Sequence, residues 1–296
     1  MKFHTSFLSF SYQGQRDYQQ DRRYPQEDAV CNSTQQMFAV CDGMGGTERG
    51  EVASCSVINT IKQVHDELPE DYLLTPEDLS SFLHQAYHRL DAEGQDIDTG
   101  TTLALLWLHR GGCAMVHLGD SRVYQFRKGE GIVYRSKDHS LVSELVEMHA
   151  ITPLEAQTHP QRNIITRCME PSTQKRNRDN ATALFTTDIQ EGDIFVVCSD
   201  GVTGEVDDES LAQIILADGT LESKSATIAA FCENASDNAT AILVEVNQVD
   251  KEEDEAEPQR QQVEITPQAG EVDRMESTSG SKGTNVFKRL LNMIIN

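Results

Sequence analysis

Four aspartates stand at the ends of short apolar segments that lie far apart in the chain: Asp42, Asp120, Asp200 and Asp237. Magnesium and manganese prefer hard oxygen ligands and are held by a few carboxylates each, so a two-ion site needs about three to five converging acids. Glycine follows two of the four, and a residue without a side chain lets a backbone carbonyl or a substrate come close. A single Asp-Gly pair is usually only a turn, so the prediction of a metal site depends on the whole set.

Such a site could hydrolyse a phosphomonoester. Two cations about 3.5 to 4 Å apart lower the pKa of a shared water, and the resulting hydroxide attacks phosphorus in line. A neighbouring arginine could hold two phosphate oxygens at once. The arginine-to-acid pattern occurs twice, as Arg16 to Asp21 and as Arg23 to Asp28. We favour the second copy, which leads directly into a predicted strand at a hairpin-like distance from Asp42, and keep the first copy as the alternative.

Short segments rich in apolar and β-branched residues carry these acids and are typical of sheet strands. They cover residues 37–41, 101–109, 113–118, 122–126, 194–198 and 240–246. Two helical patterns lie between the first two segments, one over residues 48–68 and one that begins at Thr75-Pro76. A hairpin signal at Gly111-Gly112 argues against alternating β-α-β units. We therefore expect an α+β fold of stacked antiparallel sheets flanked by helices, with the acids along one rim.

The chain is predicted to contain one catalytic domain and a tail. Residues 1–247 of the 296 form the predicted catalytic domain and hold all the strand patterns. Residues 248–284 are acidic and polar and are expected to form a disordered linker, because they cannot bury enough apolar surface. Residues 285–296 alternate apolar and basic side chains at helical spacing. This pattern predicts a short amphipathic helix that docks on a protein or, less favourably, on a membrane surface.

Composition excludes several classes of function. The formal net charge of −23 argues against a nucleic-acid partner, which would need clustered Lys and Arg. The N-terminus lacks a secretory signal and no apolar run reaches the length of a membrane span, so we expect a soluble, cytoplasmic protein. The seven cysteines are single, which predicts reduced thiols and no zinc. None has an arginine six residues later, as a cysteine-dependent phosphatase requires, and the kinase motifs are missing.

Eight segments carry a family resemblance that spans residues 10–247. In chain order they are RYPQEDAV, VCDGMGGTERGEVAS, TGTTLALLWL, HLGDSRVYQF, SKDHSLVSELV, ITPLEAQTHPQRNIITR, VVCSDGVTGEV and SDNATAILVEV. With these segments the chain resembles the metal-dependent type 2C serine/threonine phosphatases, especially the bacterial branch. The resemblance implies a four-layer αββα sandwich with a centre of two or three Mg²⁺ or Mn²⁺ ions at one end.

The resemblance also implies a role for each metal ligand. By it, Asp42 bridges both ions, the carbonyl of Gly43 binds the second ion, and Asp200 and Asp237 hold the first. Asp120 and Asp200 match the positions that bind a third ion in bacterial members.

Further roles follow from the same resemblance. Glu27 and Asp28 match the acidic pair that orders metal-bound water, and Arg23 matches the arginine that holds the phosphate. The implied activity is hydrolysis of phosphoserine and phosphothreonine in proteins, with a Ser/Thr kinase or its substrates as partners. The alternative is a catalytically silent relative that binds phosphoproteins. A silent relative should have lost at least one metal acid, and all are present.

The sequence departs from the family pattern in two places. Methionine stands at position 44, where animal members usually have a histidine that protonates the leaving group, so a metal-bound water is expected to act as the acid. The segment around residues 140–169 is expected to form a mobile cover near the site. His139 and His159 in this region are weaker candidates for the acid, because a lone histidine in such a cover is more often structural. After Arg167 the family's usual Ala-Leu-Gly is replaced by residues 168–170 (Cys-Met-Glu), which leaves the geometry of this cover, and the choice of substrate, open.

Overall fold

A computed structural model describes residues 1–34, 36–45, 49–69, 71–93, 98–173, 178–250 and 259–268. Two six-stranded antiparallel sheets form its centre. The strands of the first sheet are β1 (Lys2–Tyr12), β3 (Cys31–Ser33), β9 (Arg122–Arg127), β10 (Gly131–Arg135), β12 (Ile194–Cys198) and β13 (Ala239–Asp250). Those of the second are β2 (Arg22–Tyr24), β4 (Met37–Cys41), β7 (Leu103–His109), β8 (Gly112–Leu118), β11 (Ala181–Thr186) and β14 (Arg260–Ile265). A small sheet pairs β5 (Gly43–Met44) with β6 (Gly100–Thr101).

Side-chain alternation explains how the layers stack. In β4, Met37, Ala39 and Cys41 belong to the core beneath the helices, whereas Phe38 and Val40 belong to the core between the two sheets. A strand buried on both faces reads as a continuous apolar run rather than as an alternation with polar residues. The apolar segment that predicted this strand is therefore explained by cores on both sides of it.

Helices cover the outer face of each sheet. α1 (Gly50–Glu67) and α2 (Pro76–Glu93) pack on the second sheet, and α1 buries apolar residues at helical spacing, including Ala53, Val57 and Ile61. α5 (Asp200–Glu205), α6 (Asp208–Leu216) and α7 (Leu221–Cys232) lie over the first sheet. The predicted α+β sandwich with four layers is confirmed. Of the helices within the described ranges, none is both long and apolar enough to cross a membrane.

Two short helices, α3 (Leu141–Glu147) and α4 (Pro153–Gln157), belong to the segment that connects β10 of the first sheet to β11 of the second. We call residues 139–167 the flap. Its two ends are joined, because Ser140 and Ile165 form a bridge and the N–H of Leu141 donates to the carbonyl of Ile164. The flap contains the exposed side chains of Met148 and Leu154.

The tail differs from the sequence prediction. β13 continues to Asp250, and β14 forms at Arg260–Ile265, inside the segment expected to be a disordered linker. Val263 and Ile265 alternate along β14 and pack on the core beneath the helices, where Ile265 is 3% exposed. Burial of these two side chains and pairing with β11 offset the cost of ordering a polar segment. The helix predicted at residues 285–296 lies outside the described residues.

Candidate metal centre

The four predicted aspartates meet at one end of the sandwich. Asp42 and Asp120 follow β4 and β8 closely, Asp200 follows β12, and Asp237 precedes β13. Because β12 and β13 are antiparallel neighbours, the end of one strand and the start of the other lie at the same edge. The carboxyl groups of Asp42 and Asp200 hydrogen-bond to each other, and the charges of Asp120 and Asp200 act on Asp42.

Burial and mutual repulsion disfavour the charged forms of these acids. Burial raises the pKa of Asp42 well above its usual value, and the charges of Asp21 and Asp200 raise it further. The pKa of Asp120 is raised by burial and then by Asp200, and that of Asp200 by burial and then by Asp237. The carboxyl groups of such a cluster tend to stay protonated until bound cations displace the protons.

A fifth acid, Asp21, completes the cluster. Arg22 pairs with Cys41 across β2 and β4, so the preceding residue, Asp21, lies level with Asp42. Asp21 is 2% exposed, and its Oδ2 accepts a hydrogen bond from the Ser199 hydroxyl at 2.8 Å. Burial, together with the charges of Asp200 and Asp237, raises the pKa of Asp21 to about 7, although hydrogen bonds oppose the shift.

Arg16 lies beside the same acids. Its Nη2 donates to Asp237 Oδ2 at 2.5 Å, and this hydrogen bond raises the pKa of Arg16. The charges of Asp42 and Asp200 act on it in the same direction. The guanidinium is nevertheless 57% exposed, so part of it faces solvent and can bind an anion that enters the site.

A buried asparagine holds the loop that carries Arg16 and Asp21. The Asn238 Nδ2 donates to the carbonyls of Gln13 and Tyr18, and its Oδ1 accepts from the N–H of Gln20. Sequence reasoning missed Asn238 as a site residue, although it directly follows Asp237. The signal that could have found it is its place between Asp237 and the last predicted strand.

The second arginine-to-acid copy lies elsewhere. Arg23 Nη2 donates to Asp28 Oδ1 at 2.5 Å and Arg23 Nε donates to Ser9 Oγ at 2.7 Å, while the side chains of Glu27 and Asp28 are exposed. Arg23 pairs with Val40, so β2 runs away from the end at which β4 delivers its aspartate. The preference for Arg23, Glu27 and Asp28 is therefore corrected: the structure brings Arg16 and Asp21 to the acids.

Gly43 is required by a close crossing. A Cβ on Gly43 would stand 2.2 Å from the carbonyl oxygen of Gly50, where α1 begins. A Cβ on Gly50 would in turn stand 2.6 Å from the Gly43 carbonyl carbon. The glycine after Asp42 thus lets the first turn of α1 pass over β5, which is a more specific reason than the open approach expected from the sequence.

Two threonines that the sequence analysis left without a role hold the backbone of Asp42. Thr102 Oγ1 accepts from the N–H of Asp42 at 3.0 Å, and Thr101 Oγ1 donates to its carbonyl at 3.0 Å. Thr102 also shares a hydrogen bond with the hydroxyl of Ser121, the residue after Asp120. Thr102 therefore links two acids of the cluster, and its signal was the TGTT segment.

The two candidate histidines are engaged in structure. His139 Nδ1 accepts from the N–H of Gly119 at 3.2 Å, and Nε2 donates to Thr182 Oγ1 at 3.0 Å. Burial and nearby positive charges lower the pKa of His139 to about 3, so it stays neutral. His159 Nδ1 accepts from the N–H of Gln161 within the flap. His139 therefore has no free ring nitrogen for a leaving group, and one ring nitrogen of His159 is occupied within the flap.

Three buried carboxylate oxygens fit a cation. Asp21 Oδ1, Asp120 Oδ1 and Asp200 Oδ1 have no hydrogen-bond partner among the described residues. A buried carboxylate oxygen without a partner is costly, and a divalent cation is the partner that an all-oxygen set prefers. Within the described ranges no three of these side chains stand as a ready ligand set. Since Asp42 bonds to Asp200, small side-chain rotations would have to accompany ion binding.

The model of the family described as protein phosphatase 2C matches residues 16–246. The chain belongs to this family. It is 33% identical over 217 residues to the serine/threonine protein phosphatase PstP of Mycobacterium tuberculosis, which covers 71% of this chain but only 40% of PstP. It is also 33% identical over 225 residues to the protein phosphatase PhpP of Streptococcus pneumoniae, which covers 73% of this chain and 88% of PhpP.

Solved type 2C structures share the fold. The catalytic domain of PstP in complex with two manganese ions matches with a TM-score of 0.68 and 26% identity, over 83% of this chain and all of that domain. Stp1 of Staphylococcus aureus matches with a TM-score of 0.63 and 28% identity, over 82% of this chain and 95% of Stp1. The predicted family is confirmed. The chain spans less than half the length of PstP.

Proposed function

We propose that the protein is a metal-dependent phosphatase that hydrolyses phosphoserine and phosphothreonine in other proteins. The observation that carries this proposal is the cluster of five acids beside a half-exposed Arg16, in which three buried carboxylate oxygens have no hydrogen-bond partner among the described residues. A cluster of negative charge repels phosphate, so it can serve a phosphate ester only when cations reverse its sign. The names of PstP and PhpP support the same activity.

Asp42, Asp120, Asp200 and Asp237 would hold Mg²⁺ or Mn²⁺, with the carbonyl of Gly43 as a further oxygen ligand. When bound, such ions screen the phosphoryl charge and make a water acidic enough to attack at neutral pH. The number of ions is proposed as two, with a third at Asp120 and Asp200. These side chains are fixed by rigid elements, since each stands at a strand or helix end.

Asp21 and Arg16 would act on the water and the substrate. The Asp21 Oδ2 is held by Ser199, which leaves the buried Oδ1 to accept a hydrogen bond from water and orient it. Arg16 already has one nitrogen on Asp237, and the remaining N–H groups can donate to phosphoryl oxygens. The pair thus takes the roles that the sequence analysis assigned to Asp28 and Arg23.

The leaving oxygen of serine or threonine must take its proton from water. Met44 has no acidic proton, and the ring nitrogens of His139 are both engaged. We further propose that the substrates are products of a Ser/Thr kinase and that the protein acts in the cytoplasm. The serine/threonine phosphatase names of the relatives support the first of these statements.

Turnover of p-nitrophenyl phosphate and of a phosphothreonine peptide in Mn²⁺ tests the activity. Wild-type protein should hydrolyse both, and Asp42→Asn should lose at least about a hundredfold in kcat/KM, since losing only an outer-shell partner already costs about 10- to 100-fold. Asp28→Asn is the matched control, because its exposed carboxylate lies away from the cluster, and it should keep wild-type turnover. Binding of the peptide without turnover in Mn²⁺ or Mg²⁺ would establish the silent binding module instead.

A further inference from the structure

Strand β14 lies beyond the part of the chain that the family model matches, which ends at residue 246. It occupies the edge of the second sheet and pairs with β11. Across the three strands at this edge, His117, Thr182 and Glu264 are register partners. Register partners in neighbouring strands project from the same face. A residue of the tail is therefore aligned with two buried polar residues of the catalytic domain.

A chain of hydrogen bonds leads from Glu264 to the N–H of Gly119, the residue before Asp120. Thr182 Oγ1 donates to Glu264 Oε1 at 2.6 Å, and His139 Nε2 donates to Thr182 Oγ1 at 3.0 Å. His139 Nδ1 accepts from the N–H of Gly119 at 3.2 Å. The directions are fixed, because a backbone N–H can only donate and the neutral ring then has its proton on Nε2. The chain of bonds ends one residue before Asp120.

The other oxygen of Glu264 holds the far end of the flap. Glu264 Oε2 accepts from Arg167 Nη1 at 2.9 Å. Between the two flap ends, the N–H of Thr166 donates to the carbonyl of His139, and the N–H of His139 donates to the carbonyl of Gly119. We call the two paired ends of the flap, residues 139–141 and 164–167, its neck. One carboxylate bonds to Arg167 directly and to His139 through Thr182, so it contacts both sides of the neck.

On the side of the flap that faces β14, polar contacts position the neck, because apolar packing is weak between α3 and β14. A cavity of about 200 Å³ separates α3 from β14, lined by Ser143 and Glu144 of the helix and by Gln262 and Glu264 of the strand. Gly119 also packs against Thr102, since a Cβ on Gly119 would stand 2.6 Å from Thr102 Cγ2. A shift of the neck would therefore be transmitted to the backbone of both Asp120 and Asp42.

We propose that Glu264 is a positioning residue: it clamps the neck of the flap against the Gly119-Asp120 turn and so sets the geometry of the metal centre from the C-terminal tail. The role of Asp120 as a ligand rests on the proposed function, whereas the clamp itself does not. The tail of this chain is thereby part of the catalytic unit.

Five versions of the full chain test the clamp: wild type, Glu264→Ala, Thr182→Val, the double variant of these two, and Gln261→Ala. Thr182→Val removes the link to His139 and leaves the Arg167 pair. Gln261→Ala is the control, because this exposed side chain lies in the same strand outside the bonds described. Hydrogen exchange of the His139 and Thr166 amides in metal-free protein reports the neck, and calorimetric titration with Mn²⁺ reports the site.

We expect Glu264→Ala and Thr182→Val to speed exchange of both neck amides and to weaken Mn²⁺ binding about tenfold, the low end for an outer-shell partner. The loss in the double variant should be smaller than the sum of the two single losses, because both substitutions break the same link between Glu264 and His139. Wild-type exchange at the neck in both variants, or unchanged Mn²⁺ affinity, would overturn the proposal. So would faster exchange spread evenly over β11 and β14, since that indicates only a loosened sheet edge. Absence of Mn²⁺ binding by wild type would instead refute the proposed function, while the exchange data still decide the clamp.

Discussion

Replacing Asp21 with asparagine should make the metal-free protein more stable while it impairs the function. Asp21 is buried, and one of its oxygens, Oδ1, has no hydrogen-bond partner within the part of the chain that the structure describes. Its pKa is raised from 3.8 to about 7, so the folded state disfavours the ionised form. A group of this kind contributes its full stability below pH 3.8 and loses it as pH rises through 7. Asparagine cannot ionise, and its amide oxygen can still accept the hydrogen bond from Ser199.

The magnitude follows from the pKa. A tenfold change in an equilibrium corresponds to about 1.4 kcal/mol, so a rise from 3.8 to about 7 corresponds to about 4 kcal/mol at most. At pH 4 the two proteins should unfold with nearly equal free energy. At pH 8, in a chelator, Asp21→Asn should be more stable by up to that amount. Saturating Mn²⁺ should narrow the difference, because cations bound beside Asp21 favour its ionised form and so reduce the cost that asparagine avoids.

Urea denaturation followed by tryptophan fluorescence measures this difference. Trp107 is the single tryptophan and is fully buried in the core beneath the helices, so its emission reports global unfolding. The curves are recorded at pH 4 and pH 8, in chelator and in Mn²⁺. A metal-free Asp21→Asn protein that is less stable than wild type at pH 8, or a difference independent of pH, would refute the electrostatic reasoning.

Three further substitutions have defined outcomes. Arg16→Lys should lower kcat/KM by about tenfold or more, because lysine cannot donate two fixed hydrogen bonds to one phosphate. Arg23→Lys is the control and should leave turnover near wild type. Equal losses in the two variants would mean that Arg23, not Arg16 alone, lines the site. Thr102→Val leaves a backbone N–H unpaired and should cost about 1 to 3 kcal/mol of unfolding free energy, together with activity; an unchanged urea midpoint would contradict this. Ile265→Ala should cost about 2 kcal/mol, the low end for a core isoleucine, and Gln261→Ala almost nothing, so equal midpoints would mean that β14 is not packed.

The four strand-end aspartates could be predicted because their signal is local. Each stands within a few residues of an apolar run, and that run forms a strand whether it is buried on one face or on both. Strand ends in antiparallel sheets collect at shared edges, so convergence follows from the fold class. Asp42 and Asp200 are examples, because they follow different strands and their carboxyl groups hydrogen-bond to each other.

The choice between the two arginine copies could not be made locally. Both copies have the same spacing, and the strand predicted directly after the second copy does not bring the acid of that copy to the cluster. Only the register of β2 on β4, with Arg22 opposite Cys41, decides that Asp21 and not Asp28 lies level with the metal acids. Register is a tertiary property that depends on which side chains fill both cores.

Strand β14 could not be predicted from the composition of the segment in which it lies. Its six residues, RQQVEI, alternate only two apolar side chains, and they lie within a long acidic and polar segment. Composition averaged over such a segment predicts disorder. The stabilisation comes from an unpaired edge of β11 and from space that Ile265 fills in the core, neither of which is visible in the sequence of the tail.

Anomalous diffraction from crystals grown in Mn²⁺ tests the central claim most directly. The account predicts manganese peaks bound to Asp42 and Asp200, with Asp237 or Asp120 completing each set and Arg16 at the entrance. Manganese beside Glu27 and Asp28, or no peak within bonding distance of Asp42, would contradict it.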